Sequence, residues 1–487
     1  MIFIHLLSHQ TLVSFYGLGS IPGDWFGHYR MSHEFLSHSV IEFPMRLPFY
    51  QLVQVYFLSI VKPTSDFAKD FYLGQLVQVV IAFSFFPIIY LLFKKLINRH
   101  ISLVVLLLAS LLPYILVQSI IPWPKLLAST FALLAFYYYL KSEPPIFINR
   151  NIWLVGIFCG LSILNHWLGA IYSFSLLVNY WLPNKRRNFS SSSIKMLLKI
   201  LFIITLTLLP IYLWGTIEFG IRQTLKANLS LLLKPEYSLF QSVSARLLNL
   251  ITTLFFPFSI VLGLFRELPR SGFSQIGLIG LAARGFSWHF GAILGNISLT
   301  LTIYLVIKIY RNLKMTINGW FAALRDLLSK KYQTFFGNDL TVGSFIFGGI
   351  FLMILLQPVP ITAGVSLAGL LPSAVLIFGF TLNYYLKSTK SINLIWILFV
   401  ECMLLIWFWQ GFLFYLEQNY AVNFLTSDPA ILQLNEVIQY GRDFKLKFLS
   451  NFIGNQKILI VFFAVAAEFG ILSLTLRQIS KCQTVDK

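Results

Sequence analysis

The sequence predicts an all-α fold, a polytopic bundle of about 11–13 transmembrane helices whose outer loops carry interfacial helices. The first observation is composition: 57% of the residues are hydrophobic and only 11% are charged, whereas soluble domains carry about 25% charge. The second is the recurrence of apolar runs of about 20 residues, the length that crosses a bilayer. The third is that the basic residues cluster between these runs. Lipid is therefore the expected solvent for most of the chain.

The apolar runs define the predicted helices. Leu126–Leu140 is short, but a Pro-Trp-Pro turn sets its start. Ile152–Leu182 would measure about 46 Å as one helix, so we expect two short helices that meet at Asn165 and His166. Leu247–Leu264 is long enough to span, but the charge pattern favours a re-entrant or interfacial segment. The other predicted spans are Phe71–Phe93, Ile101–Ile121, Leu197–Trp214, Phe286–Tyr310, Val342–Val359, Ile361–Tyr385, Ile392–Phe412 and Ile458–Leu476.

The charge pattern predicts the topology. If Phe71–Phe93 ends in the cytoplasm and Leu247–Leu264 does not cross, most of the 37 basic residues and few of the 18 acidic ones share one face. This is the positive-inside pattern, so the net charge of +19 reflects topology rather than binding to nucleic acid. Two outer Asn-x-Ser sequences, at Asn228 and Asn296, are too few to indicate a eukaryotic lumen. We therefore expect a multi-pass protein of the bacterial inner membrane, with its chemistry on the outer face.

The chain is expected to form one integral membrane domain, because no composition shift marks a linker. Met1–Ser20 lacks the basic flank and cleavage site of a signal peptide and is interpreted as the remnant of a first spanning helix. The three cysteines are too far apart in sequence to indicate a disulfide framework or a metal site. Within residues 1–487 we expect a first outer loop with a partial helix at 1–70, a helix bundle at 71–217, an outer loop with a re-entrant segment at 218–285 and a second bundle at 286–487.

The first outer segment holds the candidate catalytic residue. Gly23–Arg30 places an acid, two aromatic residues, a histidine and an arginine just beyond an apolar stretch. A carboxylate at the membrane boundary is partly desolvated, which raises its proton affinity and suits Asp24 to accept a proton from an acceptor. The bland alternative is that Asp24 caps a helix starting near Trp25. His28 and Tyr29 are the candidate substrate-binding residues of this segment.

Two basic residues are candidates for binding a phosphate group. Arg46 lies between prolines that fix the local backbone, so its guanidinium is well placed to fork onto a phosphate. Lys125 follows Trp123 in an Ile-Pro-Trp-Pro-Lys turn and lies near a helix N-terminus, where the helix dipole disfavours a cation unless an anion is also present. We include Trp123 among the substrate-binding candidates. The alternative for both basic residues is contact with lipid headgroups.

A further polar candidate, His166, lies between the two short helices predicted within Ile152–Leu182. Polar side chains at such a depth usually face the bundle interior or a water-filled cavity. His166 is therefore a candidate for binding a phosphate or a sugar hydroxyl, and the alternative is a packed histidine bonded to the backbone. The sequence contains no nucleotide-binding, zinc-binding or serine-nucleophile motif, so no nucleotide cofactor is expected.

Four motifs together resemble a known family. They are Gly-Asp-Trp-x-x-His-Tyr at 23–29, Arg-x-Pro at 46–48, Pro-Trp-Pro-Lys-Leu-Leu-Ala-Ser-Thr-Phe at 122–131 and Gly-Leu-Ser-x-Leu-x-His at 160–166. In this combination the chain resembles bacterial membrane glycosyltransferases of the GT-C superfamily, and within it the protein-mannosyltransferase and aminoarabinose-transferase group. The later helices are similar to that family in hydropathy and number.

The resemblance implies an enzyme that moves a sugar from a polyprenyl-phosphate carrier to a lipid, glycan or protein acceptor on the outer, periplasmic face. It implies that Asp24 is the general base and that Arg46 and Lys125 meet the carrier phosphate. Many family members carry a second acid in the next outer loop, but Ile121–Lys125 has none, and Glu34 and Glu42 are the alternatives for it. No metal ligand is assigned, and the use of a divalent metal stays open. Two other functions also stay open: a transporter or flippase of lipid-linked glycan, and a non-catalytic assembly partner.

Overall fold

The computed structural model consists of α-helices throughout the part of the chain that it describes. This part comprises residues 24–38, 49–61, 67–111, 115, 118–119, 123–142, 150–178, 191–222, 224, 243–244, 246–247, 340–356, 371–389, 396, 399–400, 470 and 473–474. Every long regular element within these residues is an α-helix, as the composition predicts. The elements are α1 Asp24–His38, α2 Phe49–Val61, α3 Phe67–Phe83, α4 Phe85–Leu96, α5 Arg99–Leu111, α6 Pro124–Lys141, α7 Arg150–Asn165, α8 Leu168–Val178, α9 Ser191–Phe219, α10 Leu340–Leu356 and α11 Leu371–Thr389.

The chain divides into two compact units. Unit 1 comprises residues 1–127 and 402–487, and unit 2 comprises residues 128–401. Helices α1–α5 belong to unit 1 and α7–α11 to unit 2, while the boundary falls inside α6, between Leu127 and Ala128. The single membrane domain and its division at 70, 217 and 285 stay predictions.

In unit 1, α1 packs against α2 and α3, and the chain then continues through α3, α4 and α5 as successive neighbours. Helices α3 and α4 form one apolar stretch, Leu73–Leu96, which is broken at Ser84. Pro87 explains the break, because a proline lacks the N–H and its ring clashes with the carbonyl of Phe83, four residues earlier. The Ser84 N–H instead donates to the Ile81 carbonyl oxygen at 3.1 Å.

The predicted helices compare well with the described ones. Helix α6 begins at Pro124, the first-turn position that proline favours, and the break between α7 and α8 falls at the predicted Asn165-His166 step. Helix α9 extends the predicted Leu197–Trp214 at both ends. Helix α5 begins two residues before its predicted span and is described as far as Leu111, and Ile115, Gln118 and Ser119 of the same span are also helical. Outside the described residues lie Met1–Ser20, Phe286–Tyr310, nearly all of Leu247–Leu264 and most of Ile392–Phe412 and Ile458–Leu476.

Small residues let the helices of unit 2 approach closely. A Cβ atom added at Gly156 would lie 2.7 Å from the Ile203 Cβ atom, and one at Gly160 would lie 2.6 Å from the Thr207 Cβ atom. The spacing of these glycines on α7 is the small-xxx-small pattern of membrane helix pairs. Gly169 of α8 approaches the backbone of Ser162 in the same way. The absence of side chains at these glycines therefore allows these close helix contacts.

Aromatic rings and a hydroxyl pair complete the packing of unit 2. The rings of Phe136 and Phe345 stack with centroids 4.3 Å apart. The Ser373 hydroxyl donates to the Ile346 carbonyl at 3.1 Å and lies 3.0 Å from the Tyr172 hydroxyl. Since the Ser373 proton is engaged, the Tyr172 hydroxyl is the donor of that pair. These contacts connect α8, α10 and α11.

Helix α9 presents a long apolar face to the outside of unit 2. Its side chains Leu198, Phe202, Leu213 and Ile217 are all at least half exposed. An apolar helix face of this length is a lipid-facing or partner-binding surface rather than a water-exposed one. Within the described residues, Leu73–Leu96 and the α9 stretch Ile194–Phe219 are the two helices long and apolar enough to cross a membrane.

Candidate functional site

Helix α1 starts at Asp24, so the acid proposed from the sequence is the first residue of a helix. Positions 24, 28 and 32 recur every four residues and therefore lie along one side of α1. The side chain of Asp24 lies outside the described part of the structure, as does the whole of Arg46. The helix thus gives the position of Asp24 relative to His28 and Ser32.

His28 and Tyr29 are buried between the helices of unit 1, with 3% and 0% of their surface exposed. The His28 Nδ1 atom lies 2.7 Å from the Gln51 Nε2 atom of α2. Because an amide nitrogen can only donate, Nδ1 accepts, and the neutral ring carries its proton on Nε2. The Tyr29 ring packs directly on Gly74 of α3, where no side chain would fit.

Hydrogen bonds between side chains connect α1, α2 and α3. The Ser32 hydroxyl donates to the Gln54 Oε1 atom at 2.8 Å. The Tyr50 hydroxyl lies 2.7 Å from the Gln78 Oε1 atom, and the Gln78 Nε2 atom donates to the Gln118 carbonyl at 3.0 Å. A backbone carbonyl only accepts, so the Gln78 side-chain atom that faces the Gln118 carbonyl is the amide nitrogen. The Gln78 Oε1 atom therefore faces Tyr50, and the Tyr50 hydroxyl is the donor of that hydrogen bond. We call these residues the glutamine network: His28, Ser32, Tyr50, Gln51, Gln54, Gln78 and Gln118.

Tyr50 lies at the start of α2, in the segment predicted as the first outer loop, and is fully buried within this network. Burial raises the pKa of its hydroxyl well above 10.0, because desolvation disfavours the phenolate. The hydroxyl therefore keeps the proton that it donates to Gln78. The Tyr50 ring also meets the His28 ring edge-on, with centroids 6.2 Å apart.

Lys125 is a buried cation at the start of α6. Only 2% of its surface is exposed, and its Nζ atom lies 3.7 Å from the centre of the Trp123 ring. An ammonium group over an indole ring is attracted by the negative face of the ring, and this contact opposes the unfavourable position of a cation in the first turn of a helix. The Trp123 ring therefore holds Lys125 where an anion would be attracted to both the ammonium and the helix N-terminus.

His166 occupies the step between α7 and α8 in unit 2. The ring Nδ1 atom of His166 accepts a hydrogen bond from the Leu168 backbone N–H at 3.2 Å. The backbone N–H of His166 donates to the Ser162 carbonyl oxygen at 3.1 Å. Nδ1 thus takes the part of a cap for the first turn of α8. Of the predicted site residues described with side chains, His166 belongs to unit 2, whereas His28, Tyr29, Trp123 and Lys125 belong to unit 1.

The sequence reasoning gave no role to the glutamines. Gln51, Gln54, Gln78 and Gln118 all lie in apolar surroundings along the sequence. Polar residues in such runs usually face a bundle interior, so this signal could have singled them out. Among the described residues, no group of three or more His, Cys, Asp or Glu side chains is arranged to hold a metal ion.

Comparison with solved structures shows that the fold is similar to that of ArnT. No protein-family model and no curated protein sequence matches the chain. The crystal structure of ArnT, an aminoarabinose transferase, from Cupriavidus metallidurans in the apo state is similar with a TM-score of 0.51 and 10% identity, over 98% of this chain and 75% of that one. Its structure bound to undecaprenyl phosphate gives a TM-score of 0.50 and 10% identity, over 98% and 76%.

A more distant structure is the archaeal oligosaccharyltransferase AglB from Archaeoglobus fulgidus, in complex with an inhibitory peptide and a dolichol-phosphate. Its TM-score is 0.43 at 12% identity, over 97% of this chain and 56% of that one. At these identities the likeness establishes the fold. The fold class expected from the four motifs is thus confirmed.

Proposed function

We propose that the chain is a glycosyltransferase of the bacterial inner membrane that transfers a sugar from a polyprenyl-phosphate carrier to a lipid, glycan or protein acceptor on the outer face. The observation that carries the proposal is the buried Lys125 ammonium, held over Trp123 at the start of α6. Helix α1, which begins with Asp24, belongs to the same unit. The fold supports the choice of carrier, because the ArnT structure of the same fold binds undecaprenyl phosphate.

In this proposal Lys125 neutralises the carrier phosphate. When the bond between sugar and carrier breaks, negative charge grows on the departing phosphate, and a fixed cation in a dry site stabilises that charge more than water would. The Trp123 ring orients the ammonium group. Arg46 supplies the second cation, as its place between two prolines suggests.

Asp24 acts as the general base in the same scheme. The carrier phosphate is already a good leaving group, so the protein mainly has to take a proton from the acceptor and exclude water. His28, one helical turn beyond Asp24, is proposed as a substrate contact, and the Gln51 amide holds its Nδ1 atom. Tyr29 is a further proposed substrate contact in unit 1, and His166 of unit 2 stays a candidate predicted from the sequence.

The test is sugar transfer from radiolabelled undecaprenyl-phosphate sugars by the full chain in proteoliposomes. General-base catalysis contributes about 10²–10⁴-fold, so Asp24→Asn should lower turnover by at least about 100-fold while carrier binding persists. Glu218→Gln, the same chemical change at an exposed position of α9, is the matched control. Equal turnover in the wild type and Asp24→Asn would remove Asp24 from the mechanism. Movement of carrier across the bilayer without transfer would instead establish a flippase.

A further inference from the structure

Three buried glutamines of the network have amide atoms without hydrogen-bond partners. Gln118 is 2% exposed, Gln51 is 6% exposed and Gln54 is fully buried. Within the described residues, neither amide atom of Gln118 has a partner, nor has the Oε1 atom of Gln51 or the Nε2 atom of Gln54. Buried polar groups in native proteins are nearly always bonded to protein, to ordered water or to a ligand. These amides are therefore groups that a bound molecule would satisfy.

The hydrogen-bonding chemistry of these unpaired amide atoms indicates which kind of molecule would bind to them. They comprise two amide oxygens, which accept, and two amide nitrogens, which donate. An anion would be repelled by the oxygens, and an ammonium group would be repelled by the N–H donors. A hydroxyl group both donates and accepts, so it matches either kind of atom. A neutral, polyhydroxylated molecule satisfies the whole set.

We propose that Gln118, together with Gln51 and Gln54, binds the hydroxyl groups of a neutral sugar. This inference rests on the proposed function and narrows it to carriers that bear a neutral hexose or pentose rather than an amino sugar. Gln118 comes shortly before Trp123 and Lys125 in the chain and lies in the same unit. The Gln78 Nε2 atom fixes the Gln118 backbone carbonyl, which orders the segment that carries the open amide.

Gln78 and Gln118 form a matched pair for the test, because they touch each other and use their amides in opposite ways. Both amide atoms of Gln78 are hydrogen-bonded, whereas neither of those of Gln118 is bonded within the described residues. Leucine has a similar volume and no polar atoms. Gln78→Leu should therefore lower the melting temperature. Gln118→Leu should raise it by removing a buried polar group whose purpose is to bind a ligand.

The experiment measures thermal unfolding of the detergent-solubilised full chain with three probes: undecaprenyl phosphate alone, undecaprenyl-phosphate mannose, and the same carrier bearing an amino pentose. In the wild type, the mannose carrier should raise the melting temperature beyond the bare carrier, and the amino sugar should add less. Gln118→Leu should keep the shift given by the bare carrier and lose the additional shift given by mannose. This corresponds to at least a tenfold weaker affinity for the mannose carrier.

Three results would overturn the inference. The first is an additional mannose shift that survives Gln118→Leu, and the second is a wild type in which mannose adds no shift beyond that of the bare carrier. A fall in melting temperature for Gln118→Leu, as for Gln78→Leu, would also overturn it, because the amide would then be structural. The readout does not require turnover. A mannose-specific shift that Gln118→Leu abolishes, in a chain that transfers no sugar, would keep this inference and reject the transferase.

Discussion

Unit 1 and unit 2 hold their helices together in different ways. In unit 1, side chains bond to side chains across helices: Ser32 to Gln54, His28 to Gln51, and Tyr50 to Gln78. In unit 2, besides the hydroxyl pair of Tyr172 and Ser373, glycines bring helix backbones close, as Gly156 and Gly160 do. The contacts in unit 1 therefore fix the orientation of hydrogen-bond donors and acceptors, whereas the contacts in unit 2 fix the distance between helix backbones.

The two units therefore differ in the free-energy cost of a contact that is not made. A buried amide left without a partner costs about 1–3 kcal/mol, so the glutamine network is stable only where its bonds are made or a ligand completes them. Glycine packing carries no such penalty, since it buries no polar side chain. In the proposed function, unit 1 therefore holds the binding region and unit 2 is the scaffold.

The largest effect is expected in the scaffold, at Gly169. A Cβ atom added there would collide with the backbone of Ser162 and Ile163, which cannot rotate away. Overpacking costs about 1–3 kcal/mol and sometimes more, and we expect about 3 kcal/mol or more for Gly169→Ala. The measurement is the yield and melting temperature of the purified protein. Ala170→Ser, at the exposed neighbouring position, is the control. A normal melting temperature for Gly169→Ala would show that the α7–α8 step is not closely packed.

Next in size is the effect of Lys125→Met, which should separate activity from stability. Removing a single charge-stabilising group typically costs about 10²–10³-fold in turnover, and we expect about 100-fold with no loss of melting temperature. Lys141 is a matched control, because it lies at the other end of α6 and also stacks on an aromatic ring, Tyr137, but is exposed. Equal losses in Lys125→Met and Lys141→Met would contradict a role of Lys125 at the carrier phosphate.

A smaller effect, of about 2 kcal/mol, is expected from Gln78→Leu, because it leaves the Gln118 carbonyl and the Tyr50 hydroxyl without their partners. A double-mutant cycle with Tyr50→Phe should give a coupling energy of about 1 kcal/mol in denaturant-induced unfolding. Additive effects of the two substitutions would mean that the hydrogen bond between them contributes nothing to stability.

The smallest effect is the pH dependence that Tyr50 contributes. Its pKa is raised in the folded protein above 10.0, so its stabilising effect is complete below pH 10 and is lost as pH rises through the raised folded pKa. Tyr50→Phe should be about 1 kcal/mol less stable at neutral pH. The advantage of the wild type over Tyr50→Phe should shrink above pH 10. An advantage that stays constant up to pH 11 would show that Tyr50 ionises equally in both states.

The sequence predicted the helical elements better than their contacts. Pro124 and the Asn165-His166 step are local signals, and both mark real helix boundaries. The break at Ser84 was not predicted, because an unbroken apolar run hides the effect of Pro87. The Gln78 contacts could not be predicted from the sequence, because they depend on how segments far apart in sequence are aligned.

The candidate site shows the same limit. Lys125 was singled out by its place at a helix start, but its stacking on Trp123 became visible only with the local geometry. For His166 the sequence left two alternatives, and its bond to the Leu168 N–H shows that Nδ1 is used by the backbone. The roles of Asp24 and Arg46 stay predictions, since neither side chain is among those described.

The length of α9 matches it to a membrane of particular thickness. The Lys199 Nζ atom lies 5.1 Å from the Trp153 ring centre, and Trp214 meets Phe219 edge-on near the other end of the helix. Aromatic and basic residues of this kind anchor helices at the two bilayer surfaces. From Lys199 to Phe219 the helix rises about 30 Å, which equals the average hydrocarbon thickness. In a thinner bilayer α9 would have to tilt, at a cost of fractions of a kcal/mol for each ångström of mismatch.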